Sequence, residues 1–201
     1  MATDHRKQPR RRGEALDAAI LEAALAELDE VGYGRLTIDR VAERARTGKA
    51  SLYRRWPTKV ELVMAAVYSV MIAPAEVPDT GSLRGDLLVA LRFAADALAG
   101  PAGEAMRGML GDALTDSAKA AALRSSSQGA GRKVMAELAR RAVERGEIQP
   151  GAITARRLDA GQALIRQHFL FNGPPIPDDL VVEVVDEVVI PLLTDPRVPA
   201  A

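Results

Sequence analysis

Cysteine is absent from the chain, and histidine occurs only as His5 and His168. The first absence excludes a disulfide scaffold, a cysteine zinc site and a thiol nucleophile. The second leaves too few imidazoles for a multi-histidine metal site. Aromatic residues make up 3%, too few for an all-β sandwich, whose strands draw on them. Neither sign of charge dominates, with 27 basic against 27 acidic residues, so nothing global marks a nucleic-acid binder. No run approaches the roughly 18 apolar residues of a membrane span. The basic start MATDHRKQPRRRG is not followed by an uninterrupted apolar stretch, so no signal peptide is expected. These absences lead to the expectation of a cytoplasmic chain with no membrane partner. What is present is 48% hydrophobic residues in a chain of 201, enough to bury a core. That length is one ordinary domain, or one compact domain carrying a smaller one.

The neutral total hides a split. Residues 1–66 carry 13 basic and 10 acidic side chains, and the remainder carries 14 and 17. The pattern reads as helix nearly throughout. Leu16, Ile20, Ala24, Leu28 and Val31 recur every three or four residues, and Gly32 and Gly34 stop that helix. Thr37 can cap a short helix from Ile38 to Ala45, and a turn with Gly48 leads to another near Lys49 to Arg55. Pro57 ends it. Thr58 and Glu61 form a capping box for a fourth helix reaching about Ile72. Pro74 and Pro78 then break the chain. The expected organisation is a basic arm over 1–13, a head over 14–72 and a body over 78–201. The body reads as helices at about 82–99, 102–115, 117–145, 152–171 and 178–194, the third weakened by Gly129 and Gly131. In the last, Asp179, Glu183, Asp186 and Glu187 form one narrow polar stripe, which is helical spacing and not strand alternation. The rest of that helix is apolar, including Val181, Val185 and Val188. So wide an arc implies burial on two sides, one of them another subunit, and a homodimer centred on those valines.

Residues 37–62, TIDRVAERARTGKASLYRRWPTKVEL, are two short helices around a tight turn, which is a helix-turn-helix. Ala42 is small where the helices cross, Arg46 lies in the turn, and Leu52 plugs the second helix onto the first. Gly48, Ala50 and Ser51 surround one long cation, Lys49. Small residues let the backbone approach a major groove, and Lys49 can reach a guanine edge or a phosphate. Tyr53 and Arg54 follow one turn later, placed for phosphate oxygens. Lys59 stands at the amino end of the fourth helix, whose free amides also favour phosphate. Thr37 completes the candidate DNA-contacting set. Trp56 reads as a core plug, and Arg40 and Arg44 as a solvated helix face. The arm, with Arg6, Lys7, Arg10, Arg11 and Arg12, is suited to a minor groove or to phosphates.

On these residues the chain resembles the TetR family of bacterial transcriptional repressors. The resemblance is carried by Tyr33-Gly34, Thr37-Ile38, the run Ala45 through Tyr53, Trp56, Pro57-Thr58-Lys59 and Leu62. Weaker landmarks follow at 145–148, 172–174 and 191–193. Two positions depart from the pattern: Arg46 stands where the turn commonly has Gly, and Gly48 where the second helix commonly starts with Ser. A non-glycine residue in a left-handed turn costs about 1 kcal/mol. The missing hydroxyl removes one phosphate contact.

The resemblance implies an all-α fold. A helix-turn-helix head carries a body with a ligand cavity and a dimer interface formed by its last two helices. It implies a regulator, expected to be a repressor, that binds a palindromic double-stranded DNA operator as a homodimer and is released by a small-molecule effector. Candidate effector contacts are Met106, Met109 and Leu110 as flexible apolar liners, with Arg92 and His168 as polar groups among hydrophobic neighbours. So few polar groups point to a largely apolar effector. No cofactor and no metal are expected. No Ser/His/Asp set, paired carboxylates or metal-ligand spacing supports an enzyme. The alternative is a helical ligand-binding or interaction protein without DNA regulation, against which Lys49, Tyr53 and Lys59 speak.

Overall fold

A computed structural model describes residues 13–71, 77–126 and 130–195. The described residues form no strand. The head contains α1 (Glu14–Arg35), α2 (Ile38–Arg44), α3 (Lys49–Arg55) and α4 (Lys59–Met71). The body contains α5 (Leu83–Leu98), α6 (Pro101–Thr115), α7 (Ser117–Ser126), α8 (Ala130–Glu144) and α9 (Ala155–Asn172). It ends in α10 (Asp178–Glu183), a π-helical stretch Val184–Val189 and α11 (Ile190–Thr194). The basic arm, the Pro74 break and Gly129 lie outside the described residues.

Local chemistry explains most boundaries. Thr37 Oγ1 accepts the Arg40 amide at 3.3 Å and starts α2. At α4 the capping box closes in both directions. The Glu61 amide reaches Thr58 Oγ1 at 3.2 Å, and the Thr58 amide reaches a Glu61 carboxylate oxygen at 2.9 Å. Ser82 and Thr154 cap α5 and α9 in the same manner. Gly32 has φ +71°, which breaks the regular course of α1 before its last residues.

One continuous hydrophobic core runs from Ile20 in α1 to Leu193 in α11. Helix α4 packs on α1 within the head and on α6 and α7 within the body, and α1 itself lies against α6. Head and body are therefore joined by a shared core and not by the linker alone. The linker is held as well. Asp86 is fully buried and accepts the Thr80 amide at 2.6 Å, the Thr80 hydroxyl at 2.8 Å and Arg145 at 3.1 Å. Arg141 donates to the carbonyls of Val77 and Pro78. The end of α8 thus grips the start of α5.

The last helix corrects an expectation. Val181 and Val185 are buried in the single chain, as are Val184 and Val189, while Val188 is only partly buried, so Val181 and Val185 belong to the protomer's own core and do not offer their side chains to a second subunit. Much of the wide apolar arc packs against α5 and α9. Pro191 does not end the helix. It has no N–H to donate to the carbonyl one turn back, and the wider π turns immediately before it accommodate the ring.

Candidate nucleic-acid interface and effector groove

The helix-turn-helix is held from behind. Ala42 and Leu52 are buried where α2 meets α3. Arg46 occupies the turn at φ +52°, the left-handed conformation that its place in the turn requires. Glu27 of α1, only 3% exposed, receives Arg40 Nε and Arg44 Nε, each at 2.7 Å, on its two carboxylate oxygens. Arg44 also reaches Glu30. The two arginines are therefore not a merely solvated face; they clamp α2 to α1. The guanidinium of Arg40, followed by that of Arg44, holds the Glu27 carboxyl below its usual range against the opposing effect of burial. Arg55 plays the matching role for α3. It pairs with Asp17 of α1 and donates to Ser51 Oγ at 2.7 Å.

This scaffold leaves an outward surface that holds most of the expected DNA-contacting residues. Thr37, Arg46, Gly48, Lys49, Ala50, Tyr53 and Arg54 are exposed, and Ser51 is half-buried. Thr37 uses its oxygen lone pair as the cap, which leaves its O–H proton free to donate. Arg46 and Arg54 have no ion-pair partner among the described residues. Lys49 is 62% exposed, and its Nζ lies 2.5 Å from Asp39 Oδ2. That hydrogen bond to the carboxylate raises the ammonium's pKa. Gly48 begins α3 without a side-chain cap, and a Cβ built there meets nothing within 4 Å.

Lys59 is placed differently from the rest. Its ammonium sits 4.1 Å from the centroid of the Tyr33 ring and donates to the Gly34 carbonyl at 3.3 Å. Burial lowers its pKa. Tyr33 is buried against the body: its hydroxyl donates to Asp112 Oδ2 of α6 at 3.3 Å, and Gly108 lies flat against the ring. A Cβ at Gly108 would fall 2.5 Å from Tyr33 Cδ1. Burial, reinforced by Asp112, pushes the Tyr33 hydroxyl up to about 12. Lys119 of α7 closes the cluster at 3.1 Å from Asp112. Lys59 therefore belongs to the joint between head and body.

At the seam between head and body, an open groove of about 460 Å3 lies where α1, α4 and the α5–α6 turn meet. None of the five expected effector contacts lines it. Met106 and Met109 are buried in the core, with Leu110 partly buried against it. Arg92 is held by both oxygens of Asp178 at 2.6 and 2.8 Å. His168 is half-buried, with Nδ1 3.4 Å from the Asn172 side-chain nitrogen.

Two family models match the chain. "Bacterial regulatory proteins, tetR family" covers residues 20–66, and "Tetracyclin repressor-like, C-terminal domain" covers 77–188. The chain is 36% identical over 190 residues to a DNA-binding transcriptional repressor TetR of Mycobacteroides abscessus, covering 90% of this chain and 96% of that protein. It is 35% identical over 179 residues to an uncharacterized HTH-type transcriptional regulator of Mycobacterium bovis, covering 89% and 88%. Among solved structures, the TetR family transcription regulator SCO0332 superposes with a TM-score of 0.72 at 30% identity, over 88% of this chain and 97% of that one. FadR of Bacillus subtilis, solved with stearoyl-CoA, shares the fold at a TM-score of 0.54 and 15% identity, over 88% and 97%.

Proposed function

Because the chain belongs to the TetR family of bacterial transcriptional regulators, we propose that it is a cytoplasmic repressor that binds a palindromic operator as a homodimer and leaves it when a small, largely apolar effector binds the body. The observation that carries this reading is the outward face of α3. Lys49, Tyr53 and Arg54 project from a helix whose one fully buried side chain, Leu52, fixes it to the scaffold. Small Gly48 and Ala50 admit the backbone of DNA, Lys49 reads a base edge or a phosphate, and Tyr53 and Arg54 take phosphates. Lys49 must leave Asp39 to do so, and a phosphate oxygen replaces that carboxylate.

One such head reads only a few base pairs, so the operator needs two, about 34–36 Å apart. The apolar side chains still exposed near the end of the body supply a surface for the second copy. Leu164 and Phe171 are seven residues apart on one face of α9, with Phe171 79% exposed, and Leu192 stands on α11. Release follows if the effector favours a head–body arrangement that sets the two recognition helices at another spacing. The ligand's preference for that arrangement and the loss of DNA affinity are then the same coupling free energy.

The test is fluorescence anisotropy on an inverted repeat taken from the DNA flanking the gene. The double variant Lys49→Ala/Arg54→Ala is expected to lose specific binding while keeping its fold by circular dichroism. Lys49→Ala alone is expected to cost about 1–3 kcal/mol on the specific site if the lysine reads a base. Equal binding by wild type and double variant at moderate salt overturns the assignment.

A further inference from the structure

The groove at the seam between head and body has a chemistry of its own. Its walls are Leu25 of α1, Val70 of α4, Phe93 and Ala97 of α5, and Pro101 at the start of α6, with Asp96 as the one charged side chain. Asp96 is exposed and forms no ion pair among the described residues. Arg92, one turn earlier on α5, does not neutralise it, because that guanidinium is held by both oxygens of Asp178. Phe93 is 41% exposed, and it stands three residues before Asp96. That spacing puts ring and carboxylate on one face of α5. An aromatic face beside an unpaired carboxylate attracts a cation, and the surrounding aliphatic wall takes an apolar body.

We infer that this groove is the effector site and that the effector is an amphiphilic monocation, an inference that rests on the ligand-released regulator proposed above. The position carries the mechanism. The walls come from a head helix, from the helix shared by head and body, and from the body's α5–α6 turn. A molecule filling the groove touches all three, so its affinity depends on how the head is set against the body. Such differential affinity is what shifts a two-state equilibrium. None of the five body residues favoured from the sequence, Arg92, Met106, Met109, Leu110 and His168, lines this groove.

The experiment uses two probes matched in shape and opposite in charge, tetraphenylphosphonium and tetraphenylborate. Each is titrated calorimetrically into the full-length protein without DNA. The phosphonium is expected to bind once per chain and more tightly than the borate. Asp96→Asn is expected to weaken the phosphonium about two- to fivefold, the worth of an exposed ion pair, and to narrow its advantage over the borate. Ala97→Trp, which fills the groove, is expected to abolish both. If that variant does not fold, the Asp96→Asn comparison still decides. Absence of phosphonium binding, equal affinity for the two ions, or indifference to Asp96→Asn overturns the inference.

The second arm adds the phosphonium to the preformed complex with the inverted-repeat DNA. Release over the range that fills the groove supports the effector role, and a bound phosphonium that leaves DNA affinity unchanged removes it. The two readings fail separately. Operator binding without Asp96-dependent phosphonium binding sinks the groove alone. Asp96-dependent binding by a protein that recognises no operator sinks the regulator reading.

Discussion

Head and body each bury one carboxylate among the described residues, Glu27 and Asp86, and use it for different ends. Glu27 binds two arginines of α2, so it fixes the helix-turn-helix to its supporting helix. Asp86 binds Arg145 and both polar groups of Thr80, so it fixes the linker to α8. Each region is thereby locked internally by charge-assisted bonds of the stronger kind. The joint between them is built mainly from apolar packing. It includes the shared core through α1, α4, α6 and α7, one 3.3 Å hydrogen bond from the Tyr33 phenol to the Asp112 carboxylate, and a lysine lying on that phenol's ring. Charge-assisted locks thus sit within each part, packing joins the two parts, and that seam is where the groove lies.

The largest expected effect tests the body's half of this comparison. Val185→Arg places an unpaired charge in a position with no exposure at all, at a cost of several kcal/mol. It is expected to unfold the protein, seen as loss of the cooperative melt. A folded monomer with an intact melt contradicts the placement of this valine in the protomer's own core. Next, Glu27→Ala removes the head's lock. Arg40 and Arg44 are half-exposed and can be rehydrated, so the loss is expected at about 1–3 kcal/mol, with operator binding weakened although no DNA-facing residue has changed. Unchanged thermal stability breaks the symmetry drawn between the two carboxylates.

The same lock has a pH signature. The folded-state pKa of Glu27 is depressed, so its contribution is present above the ordinary carboxylate range and is lost as pH falls through the lowered folded value. Glu27→Gln is expected to flatten that part of the acid-stability profile. A profile identical to wild type removes the ion pairs from the account.

Smaller effects sharpen the head's outer face. Asp39→Asn frees Lys49 and removes an acid beside the DNA surface. It is expected to raise affinity for all sequences by a few-fold and to steepen the salt dependence. Reduced affinity means that Asp39 positions the lysine and does not compete for it. Gly48→Ser supplies the missing cap where the space is open. It is expected to add a few tenths of a kcal/mol of stability and a phosphate donor. Weaker operator binding in a stable variant shows that DNA approaches too closely for a side chain there.

Much of the head was legible because its geometry is set within a few residues. The Thr37 cap, the Thr58/Glu61 box and the left-handed Arg46 all follow from neighbours in sequence. The fold class and the body helices were legible for the same reason. Glu27 was missed, though it left a trace. It lies within the apolar stripe of Ile20, Ala24 and Leu28, and Arg40 and Arg44 stand four apart on the next helix. Their meeting depends on how α2 folds back, which periodicity does not carry. Val185 failed from the same cause. A wide apolar arc calls for two partners but does not say whether they belong to the same chain, and here α5 and α9 of the same chain supply them. The groove was not legible at all, since its walls come from three separate stretches brought together only by α1 and α4 docking on the body.

The central claim is that two copies of this chain read one symmetric DNA site through α3. Sedimentation equilibrium on labelled DNA tests it most directly, comparing the full inverted repeat, a single half-site and a scrambled duplex at moderate salt. Two chains are predicted on the full repeat, with affinity well above that for the half-site and the scrambled duplex. One chain per duplex, or equal affinity for all three, contradicts it.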